Sequence, residues 1–241
     1  MKKKLLAGTF WLSLFNMICK VLGFVYLIPW LKFMGTIQDQ QTAQALYNVA
    51  YLPYALFLSL GTAGFPSGIA KKIAELNSER NKGQIKELFQ SGLAVMEVIG
   101  IISALLMFIF APVLSKISPI VDHSAGTTAI RSLCFSLLLI PILSALRGYF
   151  QGLSLSLAFG ISQLVEQLVR VIVILVGTYL IRVRFSGSIL SAVVLSTFAS
   201  CIGGLSAIVY LLLVGKNFIQ IINICHPIIV FKRKCLITRY L

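Results

Sequence analysis

The chain has 241 residues, of which 58% are apolar and 12% are charged, and its mean hydropathy is +0.94. Soluble domains are about one quarter charged, so this composition excludes a soluble globular protein and indicates an integral membrane protein. The formal net charge of +14 does not imply a nucleic-acid partner, because basic residues gather on the cytoplasmic side of membrane proteins.

The apolar runs are long enough for transmembrane helices and too long for the alternating strands of a membrane barrel. A hydrocarbon core of about 30 Å is crossed by about 20 helical residues. We therefore predict an all-α integral membrane protein with a six-helix membrane domain over residues 1–215. The six helices have the approximate limits 9–31, 43–66, 88–112, 128–150, 157–181 and 188–214.

The first predicted helix has a polar face in an otherwise apolar run. Its members are Ser13, Asn16, Lys20 and Gly23. Their offsets of three and four place them on one side of a helix. Because Lys20 lies near mid-span, it is too deep to reach water by extending toward a helix end. Two roles remain open for Lys20: a cationic contact for an anionic substrate, or an ion pair with Glu166 that fixes helix packing.

The second predicted helix carries an aromatic stripe of Tyr47, Tyr51 and Tyr54. Such a stripe is more often a packing surface than a platform for a sugar, and we interpret it as packing. The segment that follows, residues 67–89, has apolar positions on one side and charges elsewhere, which predicts a short amphipathic helix at the cytoplasmic interface. Contact with anionic lipid and an ordinary solvated loop are both compatible with its charge.

The fourth predicted helix ends in a polar and glycine-rich block. Ser144, Arg147 and Gln151 share one face, and the spacing of Gly148 and Gly152 would let another helix approach closely. The planar fork of donors on Arg147 suits a lipid phosphate. Arg147 would equally serve as a basic anchor at a cytoplasmic helix end.

The fifth predicted helix contains two charges in an apolar run, Glu166 and Arg170. Ionisable side chains at such depth are costly and usually face a protein interior or a watery cavity. Their spacing of four residues allows them to pair. Gln163 and Gln167 extend the same face, which predicts that this helix lines a cavity.

The distribution of lysine and arginine sets the orientation. Fourteen of the 21 basic residues fall on the side of the amino terminus, and five fall on the opposite side. We therefore predict that both termini are cytoplasmic. Arg182 and Arg184 oppose this rule locally. Residues 216–241 are expected to form a basic cytoplasmic tail whose end is truncated or altered.

Sequence motifs of enzymes do not appear. The chain lacks a Gly-x-Ser-x-Gly, a Walker lysine loop and a His-Glu-x-x-His, and it has only two histidines and seven acids. Its five cysteines are scattered without metal-type pairing. We expect no enzymatic activity, no catalytic residues, no metal site and no cofactor.

Two sequence blocks carry a family resemblance. Leu146-Arg-Gly-Tyr-Phe-Gln-Gly152 is followed by Ser162-Gln-Leu-Val-Glu-Gln-Leu-Val-Arg-Val171. Together with Lys20-Val-Leu-Gly-Phe-Val-Tyr26, they resemble the polysaccharide-exporter branch of the multidrug/oligosaccharidyl-lipid/polysaccharide flippase superfamily. The greatest likeness is to its stage V sporulation protein B and lipid II flippase group.

The resemblance implies an architecture and a function. Members of this group have two six-helix lobes around a cationic cavity. They move undecaprenyl-pyrophosphate-linked sugars across the bacterial cytoplasmic membrane by alternating access. The chain would be the amino-terminal lobe of such a flippase-type transporter, in a half-length or truncated form. Its partners would be a lipid-linked oligosaccharide, membrane lipids, and a second six-helix lobe or a second copy.

The candidate cavity residues combine the polar faces with the resemblance. They are Asn16, Lys20, Arg147, Gln151, Gln163, Glu166, Gln167 and Arg170. Two other functions remain open. The half length and unusual tail suit a non-transporting remnant or a membrane interaction protein. A cation-coupled multidrug exporter of the same superfamily would instead need an intramembrane acid as its cation site.

Overall fold

The computed structural model describes residues 2–62, 64–79, 81–118 and 122–216. Within these ranges the chain forms eight α-helices, a short π-helical segment and no strands. The α-helices are α1 (Lys2–Val25), α2 (Leu27–Met34), α3 (Ile37–Thr62), α4 (Phe65–Ser78), α5 (Lys82–Ile117), α6 (His123–Gly152), α7 (Ser156–Thr178) and α8 (Ile189–Lys216). The π-helical segment, Tyr179–Arg184, continues α7.

Six helical stretches are long and apolar enough to cross a membrane. They are Phe10–Met34, Ile37–Ser78, Lys82–Ile117, His123–Gly152, Ser156–Arg184 and Ile189–Gly215. The all-α membrane class and the number of spans are thereby confirmed. The predicted tail lies outside the described residues, apart from Lys216 at the end of α8.

The first span is not the single helix that the sequence predicts. It breaks at Tyr26 into α1 and α2. Pro29 lacks a backbone N–H and cannot continue the hydrogen-bond ladder of α1. It fits instead into the first turn of α2, where backbone donors need no partner within the helix. Gly35, with φ of 106°, then turns the chain toward α3.

Helix α6 forms the centre of the bundle, since α3, α4, α5 and α8 all pack against it. Helix α7 packs mainly between α1 and α8. Hydrogen bonds between buried side chains join these helices. Trp30 Nε1 donates to Ser196 Oγ at 2.9 Å and links α2 to α8, while Ser132 and Thr197 link α6 to α8.

Helix α4 is the predicted amphipathic helix, but protein covers its apolar face. Ile69, Ile73 and Leu76 are buried against α5 and α6. A β-carbon at Gly148 would lie 2.6 Å from the Pro66 carbonyl oxygen, and one at Gly152 would lie 2.7 Å from the Ala70 carbonyl oxygen. The predicted close approach of another helix to these two glycines is confirmed, and α4 is that helix.

Arg182 joins two corners of the bundle at the opposite end from α4. Its guanidinium donates to the Met34 carbonyl at 2.6 Å, the Gly187 carbonyl at 2.8 Å and Asp39 Oδ2 at 2.9 Å. These bonds tie the α2–α3 corner to the segment between α7 and α8. Arg182 therefore has a structural role at this corner, whichever side of the membrane the corner faces.

Candidate functional site

Glu166 and Arg170 pair on α7, as their spacing predicts. Arg170 Nη2 lies 2.8 Å from Glu166 Oε1. The two residues lie one turn apart, and neighbours at this spacing meet on one side of a helix. The pair is located in the middle of a membrane span, where each charge needs a partner.

Arg147 brings a second positive charge to the same carboxylate. Its Nη2 lies 2.8 Å from Glu166 Oε2, and its Nε donates to Ser162 Oγ at 2.9 Å. The Ser162 hydroxyl in turn donates to the Phe159 carbonyl at 2.6 Å. Arg147, Glu166 and Arg170, which we name the ion triad, therefore bind α6 to α7 through one shared carboxylate.

The ion triad carries one more positive than negative charge. The side chains of Arg147, Glu166 and Arg170 are 12%, 14% and 19% exposed, so water screens them poorly. Attraction within buried ion pairs offsets the cost of desolvation only when the geometry is good and hydrogen bonds satisfy the remaining polar atoms. The uncompensated positive charge favours an anion at this position.

Two polar atoms beside the ion triad have no hydrogen-bond partner among the described residues. They are Gln163 Oε1, an acceptor, and Arg170 Nε, a donor, and both atoms are buried. Buried polar atoms in proteins are nearly always paired, so each unpaired one calls for an explanation. On α7 they lie on either side of Glu166, one turn away in each direction.

Helices α1 and α3 both reach the ion triad. A β-carbon at Gly23 of α1 would lie 3.3 Å from Gln167 Nε2, and Cys19 lies near all three triad members. The three tyrosines of the α3 stripe also lie near Arg170: Tyr47, Tyr51 and Tyr54. The rings of these tyrosines contact one another along α3, with centroids 5.8 Å and 5.6 Å apart. The tyrosine stripe therefore lies beside charges, which sequence reasoning did not anticipate.

Helix α8 packs closely against Glu166 and Arg170 at Gly203. A β-carbon at Gly203 would lie 2.8 Å from the Glu166 carbonyl oxygen and 3.3 Å from Arg170 Cβ. Any side chain at position 203 would push α8 away from the triad. Sequence reasoning missed Gly203, because the sequence around the two glycines of α8 does not indicate which residues of other helices they contact.

The remaining candidates are less enclosed. Asn16, Lys20 and Gln151 are exposed, whereas Gln163 and Gln167 are half-buried on α7. Lys20 forms no ion pair within the described part of the chain, and arginines occupy both oxygens of Glu166. The alternative in which Lys20 pairs with Glu166 is therefore wrong for this conformation. No group of acids, histidines or cysteines suited to a metal ion occurs among the described residues.

Comparisons with known proteins relate both the sequence and the fold to transporters. A model of the family described as polysaccharide biosynthesis protein matches residues 5–236. The chain is 37% identical over 217 residues to the lipid II flippase MurJ of Bacillus subtilis (strain 168), covering 88% of this chain and 39% of that protein. It is 27% identical over 236 residues to the stage V sporulation protein B of the same organism, covering 92% and 43%.

Solved structures share the fold at low sequence identity. A MOP superfamily transporter from Pyrococcus furiosus superposes with a TM-score of 0.66 at 13% identity, covering 88% of this chain and 44% of that one. A MATE protein in complex with MaD3S gives a TM-score of 0.66 at 14% identity, covering 85% and 44%. The chain thus spans about two-fifths of the length of the proteins that it matches.

Proposed function

Because the chain belongs to the polysaccharide biosynthesis protein family, we propose that it is one lobe of a transporter for undecaprenyl-linked oligosaccharides. The transporter would carry these cell-wall or polysaccharide precursors across the bacterial cell membrane. The likeness to a lipid II flippase supports this cargo class. The single observation that carries the proposal is the ion triad, a net positive charge enclosed at mid-membrane depth.

The triad suits the charged part of such a cargo. A pyrophosphate offers oxygens in the geometry that guanidinium groups bind through parallel hydrogen bonds. Arg170 supplies such a group on α7, Arg147 adds positive charge from α6, and Lys20 adds an exposed ammonium on α1. The apolar prenyl chain would stay in the lipid while the head group passes the triad. The cavity thus selects for negative charge, and neighbouring polar groups contact the sugar.

The polar face of α1 supports a second lobe or a second copy as partner. Ser13, Asn16 and Lys20 are exposed on a helix that otherwise presents apolar side chains. Polar and charged groups at membrane depth face a protein interior or a water-filled cavity, not lipid. A second six-helix unit facing α1 would enclose this space, in keeping with the greater length of the relatives.

A multidrug exporter for cations fits the site less well. The fold shared with MATE proteins is compatible with that function. However, Glu166 is the acid of the triad, and both of its oxygens accept hydrogen bonds from arginines. A cationic drug or coupling ion would have to displace a guanidinium and would still meet the second one.

Complementation of a flippase-depleted bacterial strain tests the proposal. The chain is expressed alone and then together with the carboxy-terminal lobe of a relative. We expect rescue of growth in at least the second case, and loss of that rescue with Arg147→Gln. If neither combination supports growth although the chain reaches the membrane, transport by this chain is refuted. A membrane interaction protein then becomes the better description.

A further inference from the structure

The two arginines of the ion triad are bound to Glu166 unequally. Arg147 has partners at both Nε and Nη2, and its guanidinium carbon lies 5.9 Å from the centre of the Phe159 ring. Arg170 contacts Glu166 through Nη2 only, and its buried Nε has no acceptor among the described residues. Arg170 is also the more exposed of the two, at 19% against 12%.

This inequality identifies the bond that breaks first. Arg170 and Glu166 lie on the same helix, so their side chains can separate by rotation without any helix moving. Arg147 joins α6 to α7, and the Ser162 hydroxyl also holds it in place. An incoming oxyanion therefore gains access more easily at Arg170. The unused Nε and the released Nη2 would together form the two-pronged donor that binds a phosphate.

We propose that Glu166 is a built-in competitor that occupies Arg170 until the phosphate of the cargo replaces it. On binding, the phosphate takes Arg170 while Glu166 keeps Arg147. On release, Glu166 returns to Arg170, so the empty site does not retain a free guanidinium group that binds phosphate strongly. Glu166 thus weakens cargo binding and assists cargo release. The identity of the cargo rests on the proposed function, whereas the competition for a phosphate oxyanion does not.

The described residues around the triad include no second carboxylate that pairs with its arginines. Cys19 of α1 and the tyrosines of α3 also lie near the triad, and none of them is a carboxylate. Of these tyrosines, Tyr51 is 41% exposed and Tyr54 is buried. Within the described residues, Glu166 is the single carboxylate paired with either arginine of the triad.

Binding of radiolabelled inorganic pyrophosphate to the purified full chain in detergent tests the competition. We expect Glu166→Gln to bind pyrophosphate roughly tenfold more tightly than the unmodified chain, because it removes one charge-assisted hydrogen bond to Arg170. The double variant Glu166→Gln/Arg170→Gln should lose this gain. The matched control is Glu97→Gln, the same change at an exposed position on α5, and it should leave the affinity unchanged.

A second measurement uses the unmodified chain and does not depend on a variant that folds. The chain has five glutamates, so carbon-13 labelling of their carboxyl groups gives a simple NMR spectrum. Pyrophosphate should shift the Glu166 signal and leave that of Glu97 in place. The absence of a shift at saturating pyrophosphate would overturn the inference.

The outcomes separate this inference from the proposed function. Equal or weaker pyrophosphate binding by Glu166→Gln overturns the competition and leaves transport untouched. Failure of every variant to bind pyrophosphate overturns it as well. Tighter binding by Glu166→Gln together with failed complementation supports the competing carboxylate at an anion site and refutes transport.

Discussion

At the scale of single residues, Glu166 determines the character of the site. One carboxylate at membrane depth accepts a hydrogen bond from each of two guanidinium groups, at 2.8 Å in both cases. If either arginine were missing, the remaining pair would be formally neutral and would offer less attraction to an anion. The second arginine therefore turns a structural ion pair into a site with surplus positive charge.

Truncation of Arg147 should destabilise the bundle more than truncation of an exposed arginine. Arg147→Ala leaves the Ser162 hydroxyl and one oxygen of Glu166 without a donor. Removal of one partner of a buried pair costs about 3–5 kcal/mol. The control is Arg131→Ala, which loses only an exposed contact with the Phe108 ring worth about 0.5–1 kcal/mol. Thermal unfolding in detergent measures both, and equal losses would contradict a structural role for Arg147.

Contacts between residues of one helix could be predicted from the sequence, whereas contacts between helices could not. The Glu166–Arg170 pair was predictable, because helix geometry relates residues four positions apart. The hydrogen bonds from Arg147 to Ser162 and Glu166 were not, because they span 15 and 19 positions. Only the family resemblance had grouped Arg147 with the α7 residues, without specifying a contact.

At the scale of helices, close packing of α8 on α7 maintains the ion triad. Gly203 allows the α8 backbone to approach α7 opposite Glu166 and Arg170. Small residues at helix crossings in membranes permit such approach, and van der Waals contact then stabilises the pair. The interruptions of the first span also matter at this scale, since Pro29 and Gly35 change the direction of the chain. Arg182 then ties the α2–α3 corner to the segment between α7 and α8.

The two adjacent glycines of α8 offer a matched comparison. Gly203→Ala places a methyl group 2.8 Å from the Glu166 carbonyl oxygen, and we expect a loss of about 1–3 kcal/mol from overpacking. Gly204→Ala has Leu139 Cβ as its nearest neighbour at 4.0 Å, and should be neutral or stabilising by up to about 1 kcal/mol through helix propensity. Unfolding temperatures of the two variants, measured side by side, test this packing. A larger loss for Gly204→Ala would contradict it.

At the scale of the whole molecule, the described residues form a six-span bundle with the ion triad in the middle of a span and exposed polar side chains on α1. Both features suit the arrangement that we propose, in which the chain faces a second lobe or a second copy across a cavity. The basic residues of α4 lie at one end of the bundle, and Arg182 and Arg184 lie at the other end. Labelling one residue at each end therefore measures the orientation of the chain in the membrane.

Cysteine accessibility tests the orientation that we propose, with both termini in the cytoplasm. In a background without the five native cysteines, Arg184→Cys should react with a membrane-impermeant maleimide on intact cells. Lys71→Cys, which is also exposed, should react only after the cells are permeabilised. The reverse pattern would place the termini outside the cell.

Membrane class, number of spans and the pairing within α7 follow from the sequence, because apolar run length and helical periodicity depend on residues close together in the chain. Tertiary structure alone decided that α4 is covered by protein, that Arg147 completes the triad and that Gly203 supports it. It also decided that Arg182 binds Asp39, 143 positions away. Each of these contacts depends on which faces of distant helices meet. Packing of the whole bundle determines which faces meet, and the spacing of residues within one helix does not predict it.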